Sequence, residues 1–87
     1  MKQAEVAELQ RRISEIGRAS SLGPRLRQVA VEPADDDVGG EFLRVSLTVD
    51  HPERLDWPEV EPLVSAIWDS VQAVDDRIPS IRFPDAA

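Results

Sequence analysis

Glu41-Phe42-Leu43-Arg44-Val45-Ser46-Leu47-Thr48-Val49-Asp50 decides the fold of this chain. Leu43, Val45, Leu47 and Val49 alternate with Phe42, Arg44, Ser46 and Thr48. Successive side chains of a strand point to opposite faces, so this spacing predicts a strand over about 41–50 with one buried face. Helices laid on that face alone make a two-layer domain.

Upstream, Ala34-Asp35-Asp36-Asp37-Val38-Gly39-Gly40 is a hairpin connection with a flexible glycine pair. It joins the decisive strand to an antiparallel one over about 25–32, in which Val29 and Val31 share a face. Leu26 is out of phase with them, which a bulge or a late strand start explains, and Pro33 is a stop. Ser20-Ser21-Leu22-Gly23-Pro24 is a loop by composition. Before it, Val6, Leu9, Ile13 and Ile16 form one apolar stripe, predicting a helix over about 2–17 with Gly17 as its stop. Glu8 with Arg12, and Arg11 with Glu15, stand one turn apart on its polar side. Four stripe residues are a light docking face, so this helix is expected to be loosely held.

Downstream, Asp50-His51-Pro52-Glu53-Arg54 is a turn, and Asp56-Trp57-Pro58-Glu59 resembles a capping box. Pro58 and Pro62 fit the first turn of a helix or the residues just before it. Leu63, Val74, Ile67, Val60, Val71, Val64, Trp57 and Trp68 then fill an arc of about 140°, the mark of an amphipathic helix over about 57–77. Pro79 stops it, and Ile81-Arg82-Phe83 predicts a short third strand, about 80–83, closed by Pro84. The expected architecture is one α+β domain of order α-β-β-α-β, two helices on one face of a three-stranded sheet. The other face, with Arg27, Phe42, Arg44, Ser46 and Thr48, is left open.

Eighty-seven residues are one domain's worth of chain, and 41% apolar content supports a core. There is no cysteine, which excludes disulfides, a thiol nucleophile and thiolate metal sites, and suits a reducing compartment. Met1-Lys2-Gln3-Ala4-Glu5 is not the start of a signal peptide, and no run approaches the ~20 apolar residues of a membrane span. The expectation is a cytoplasmic protein with no membrane partner. Net charge is −7, unevenly spread. Residues 1–28 carry six basic and three acidic side chains, whereas residues 29–87 carry four basic and fourteen acidic ones. The acidic part repels phosphate backbones and attracts basic partners.

No catalytic constellation assembles. His51, the only histidine, sits beside Asp50, but the nearby hydroxyls of Ser46 and Thr48 lack a nucleophile elbow. Asp35, Asp36, Asp37 and Glu41 are the densest carboxylates, yet the alternating ligands of a calcium loop are missing. No enzyme activity, metal or cofactor is expected. Asp75 and Asp76 oppose the dipole of the second helix, with Arg77 as a local offset.

Two binding readings lead, with a small metal-dependent enzyme using Asp35–Asp37 or His51 ranked third behind them. The first is a non-catalytic module that docks on a basic protein, as small inhibitor, antitoxin or immunity-type proteins do, or on a second copy of itself. Its candidate residues are Trp57, Trp68, Asp69, Asp35, Asp36, Asp37 and Phe42. Tryptophan at the margin of an apolar stripe caps a core or forms an interface hot spot. The second is RNA binding through Arg18, Arg25, Arg27, Phe42 and Arg44, arginines beside a stacking ring. The overall charge weighs against nucleic acid. The element order with the Gly39-Gly40 hairpin resembles the scaffold domain of iron–sulfur cluster assembly, and the order is also similar to the type II KH arrangement. The cluster-binding cysteine pair and the KH Gly-x-x-Gly loop are both absent, so the resemblance implies a fold by analogy and no site.

Overall fold

The computed structural model describes residues 3–84. Helix α1 (Val6–Ala19) is followed by a 3-10 turn at Gly23–Arg25, strands β1 (Leu26–Asp35) and β2 (Glu41–Val49), and a second 3-10 turn at Pro52–Arg54. Helix α2 (Trp57–Gln72) and strand β3 (Ile78–Arg82) complete the order α-β-β-α-β. The sheet runs β1-β2-β3, with β1 and β2 antiparallel and β2 and β3 parallel. This is the expected α+β two-layer arrangement.

The period-two face of β2 is the centre of the core. Leu43, Val45, Leu47 and Val49 are fully buried. Val29 and Val31 of β1 join them, with Leu9 and Ile13 of α1 and Val60, Leu63, Ile67 and Val71 of α2. Removing such a side chain to alanine costs about 2–5 kcal/mol. Leu26 reaches the core side because the register slips between Leu26 and Gln28, which makes Arg27 the bulged residue. Arg27 has no Cα partner across the sheet, stays on the side opposite core-facing Leu26, and donates from Nε to Asp50 Oδ2 at 2.9 Å.

Several boundaries differ from the sequence reading. Gly17 does not stop α1; it lies buried in the last turn, where a Cβ would come within 2.8 Å of Leu26 Cδ2. That close approach, with Leu9 and Ile13 fully buried, docks a helix expected to be loose. Of the predicted start at 2, residues 1–2 lie outside the described residues, and Gln3–Glu5 precede the helix. Pro33 does not end β1, which runs on to Asp35, and Pro79 lies within β3. Both strands are edges, where a missing N–H need not break a ladder. The expected capping box does not form. Asp56 caps α2 through its backbone oxygen alone, and Glu59 stands 3.6 Å from Arg25 instead.

Helix α2 also ends five residues early, at Gln72, because Asp75 turns inward. The Asp75 side chain is fully buried, with 0% exposure. Its oxygens accept from Arg77 Nη2 at 2.7 Å, Arg77 Nε at 3.0 Å, the Arg77 N–H at 2.9 Å and the Ala4 N–H at 2.9 Å. Arg77 Nη2 also donates to the Ala4 carbonyl at 3.2 Å. This latch ties the chain before α1 to the α2–β3 connection. The Arg77 guanidinium outweighs burial and holds the Asp75 carboxyl at about 2, below its ordinary 3.8.

Candidate functional site

Along α2, Trp57, Val64 and Trp68 fall within about 40° of one another at 100° per residue. They mark the margin of the apolar arc, beside the buried line of Val60, Leu63, Ile67 and Val71. Across from them stand Ile81 of β3 and Phe83 just after it, and Pro52 and Leu55 of the β2–α2 connection close one end. Together these residues line an open apolar groove of about 600 Å³. Leu55, Val64, Ile81 and Phe83 are partly buried against the core, so the groove is a continuation of the core surface. Trp57 is 63% exposed and Trp68 is 38% exposed.

The end of the groove is set by Arg25. Its guanidinium donates to the carbonyls of Asp50 at 3.0 Å and His51 at 2.8 Å. His51 takes the left-handed conformation, φ 53°, that turns the chain into Pro52–Arg54 and delivers Leu55 to the groove. Arg25 is thus engaged in building the connection. The exposed Glu53, Asp56, Glu61 and Asp69 lie along α2 and the connection that leads into it, and α2 carries no lysine or arginine.

The remaining candidate residues occupy three other places. Asp36 builds the hairpin turn, accepting from the N–H of Val38 at 3.0 Å and of Gly40 at 2.7 Å. Asp35 and Asp37 are exposed beside it. This hairpin precedes Phe42, the partner of Ile78 at the start of β3, whereas the groove lies toward the far end of β3. The fold therefore separates the Asp35–Asp37 cluster from the tryptophans. Phe42 and Arg44 share the open sheet face, with the guanidinium carbon 5.9 Å from the ring centroid. Arg44 Nε is buried without a hydrogen-bond partner. Arg18 is exposed at the last turn of α1. Of the five candidates for an RNA site, Phe42 and Arg44 are brought together on the sheet face, Arg25 and Arg27 both engage Asp50, and Arg18 stands apart.

His51 is exposed, with Nδ1 3.3 Å from Glu53 Oε1. Among the described residues, no group of three or more His, Cys, Asp or Glu side chains is arranged to hold a metal ion. No helix among them is long and apolar enough to cross a membrane. The groove walls Leu55, Ile81 and Phe83 were missed as binding residues, because nothing local in a strand or loop shows which helix it will face. The sequence offered Arg77 as an offset to Asp75 and Asp76, but not the burial of Asp75 or the tie of the pair to Ala4. The latch's signal was an acid two residues before an arginine directly after the amphipathic run. No family model, no curated protein and no solved structure matches this chain.

Proposed function

We propose that the protein is a non-catalytic binding module that docks a basic protein through the groove between α2 and β3. The observation that supports this most is the pair of exposed tryptophans, Trp57 and Trp68, lining an apolar groove on an acidic helix. Tryptophan concentrates binding energy where a partner can exclude water around it. The surrounding carboxylates speed the approach of a cationic partner and disfavour acidic ones. A chain without cysteine suits the reducing cytosol, where small antitoxin- or immunity-type inhibitors act.

The test is affinity capture from the native host, followed by reconstitution with the purified captured protein. The expected partner is basic and binds at 1:1, with affinity falling as salt rises. Trp68→Ala should weaken it about tenfold or more. Equal binding by Trp68→Ala, or affinity indifferent to ionic strength, defeats the reading.

A second reading rests on the unpartnered Arg44 Nε above Phe42. A buried donor without a partner suits an anion and a ring beside it suits a stacked base, so on this reading the open sheet face would take single-stranded RNA. Retardation of short single-stranded RNA at low salt, lost in Arg44→Ala, is the outcome this reading requires.

A further inference from the structure

We infer that the groove receives an extended segment of the partner, which adds to the free edge of β3 as a fourth strand. This rests on the docking reading above and says how the docking is made. The sheet has two edges, and they are unlike. The β1 edge is interrupted by the bulge at Arg27 and by Pro33, and it carries the exposed Glu32 and Asp35. Bulges, prolines and charges are the devices that keep an edge from pairing. The β3 edge has Pro79 near its start; beyond it Ser80, Ile81 and Arg82 continue without a bulge. Beyond β3 no further strand pairs among the described residues.

The groove lies where such a strand would send half of its side chains. Ile81 pairs with Val45, so it sits on the helix-facing side of the sheet, and it lines the groove with Phe83. A strand beside β3 would place every second side chain on that same side, under Val64 and Trp68. Those positions must be apolar. The alternate positions fall beside Ile78, Ser80 and Arg82 on the open face and can be polar. Glu53 and Asp56 beside one end of the groove and Asp69 beside Trp68 favour basic residues flanking the apolar run. The same charges disfavour a second copy. Each chain carries −7, and pairing β3 with β3 would bring two acidic α2 helices together.

The probe is a blocked synthetic peptide, Lys-Lys-Thr-Val-Thr-Ile-Thr-Val-Lys-Lys. The control has the same composition, with its three apolar residues made consecutive. Both tryptophans line the groove and the chain has no tyrosine, so intrinsic emission reports groove occupancy. Amide exchange reports the edge. Up to about 1 mM alternating peptide should shift the emission to the blue and slow exchange in Ser80–Arg82 about tenfold or more. The control should bind about tenfold more weakly, because it cannot place all three apolar residues on one side.

An emission shift without protection of β3, or equal binding of the control, overturns strand addition while leaving a docking groove in place. No response of either kind up to that concentration removes both. A dimer that protects β3 without peptide makes a second copy the occupant and overturns the inference.

Discussion

Where α2 ends, the chain passes to Asp75, a carboxylate with no water around it; along its margin the same helix shows Trp57 and Trp68, apolar rings with water over them. The two regions invert the usual sorting of side chains. What separates them is the opposite wall. Asp75 meets a guanidinium and two backbone N–H groups, enough to fill its lone pairs. Trp57 and Trp68 lie over the edge of a sheet only three strands wide, where the wall stops. A buried charge with all its partners present is part of the scaffold, and an apolar ring without a wall is available to something else.

The sharpest way to break the comparison is to remove the buried charge. Asp75→Asn leaves the largely buried Arg77 guanidinium without the carboxylate that takes two of its N–H groups. Breaking such a pair costs about 3 kcal/mol or more. A domain of this size has roughly 4–9 kcal/mol in total. With a urea m-value of about 1 kcal/mol/M, the unfolding midpoint should fall by about 3 M. A midpoint within about 0.5 M of the parent would show that the latch is ornamental.

The next effect is the same latch read through pH. The folded-state pKa of Asp75 is lowered, to about 2 from 3.8, so the unfolded chain takes up the proton first. The contribution is fully present above pH 4 and is lost as pH falls toward 2. Its size is about 2 kcal/mol, because each tenfold change in proton affinity is worth about 1.4 kcal/mol. The stability gap between the parent and Asp75→Asn should therefore narrow by about 2 kcal/mol between pH 5 and 2. A constant gap across that range would mean that the carboxylate charge is not what stabilises the latch.

How much of this was legible depends on whether a residue's role is set by its neighbours in sequence or by its neighbours in space. The β2 alternation and the α2 arc are local patterns, and they predicted the core and both layers. The phase of Leu26 was local as well, and it pointed to a bulge or a late strand start, of which the register shows the bulge. Gly17 was misjudged because a helical glycine that admits Leu26 looks in sequence like one that stops a helix. Two prolines misled for a related reason: Pro33 stops a central strand but not an edge, and Pro79, read as the stop of the second helix, lies inside the edge strand β3 after a helix that ends at Gln72. At the groove, the sequence placed Trp57 and Trp68 at the margin. It did not show that Ile81 and Phe83 face them, because that follows from β3 lying parallel to β2 at the edge beyond it.

The groove side of the comparison predicts smaller losses. Trp68 packs one side of its ring against α2 and the groove wall, so Trp68→Ala should cost about 1.5 kcal/mol, well below the about 3–5 kcal/mol of a fully enclosed tryptophan. Thermal or urea unfolding measures this directly. A loss near 4 kcal/mol would make Trp68 a core residue and leave the groove without its anchor.

Trp57 is the limiting case. It opens α2 at the first helical position with most of its ring in water, and the helix start is held by the Asp56 backbone oxygen, not by the indole. Trp57→Ser should therefore change stability by no more than about 0.5 kcal/mol, as surface substitutions do. An amino-acid type that large, costing so little to remove, contributes nothing the fold requires. If the same substitution lowers peptide affinity while leaving the unfolding midpoint in place, the ring belongs to binding. If it lowers the midpoint by more than about 1 M, Trp57 caps the core and the contrast with Asp75 collapses to one residue, Trp68.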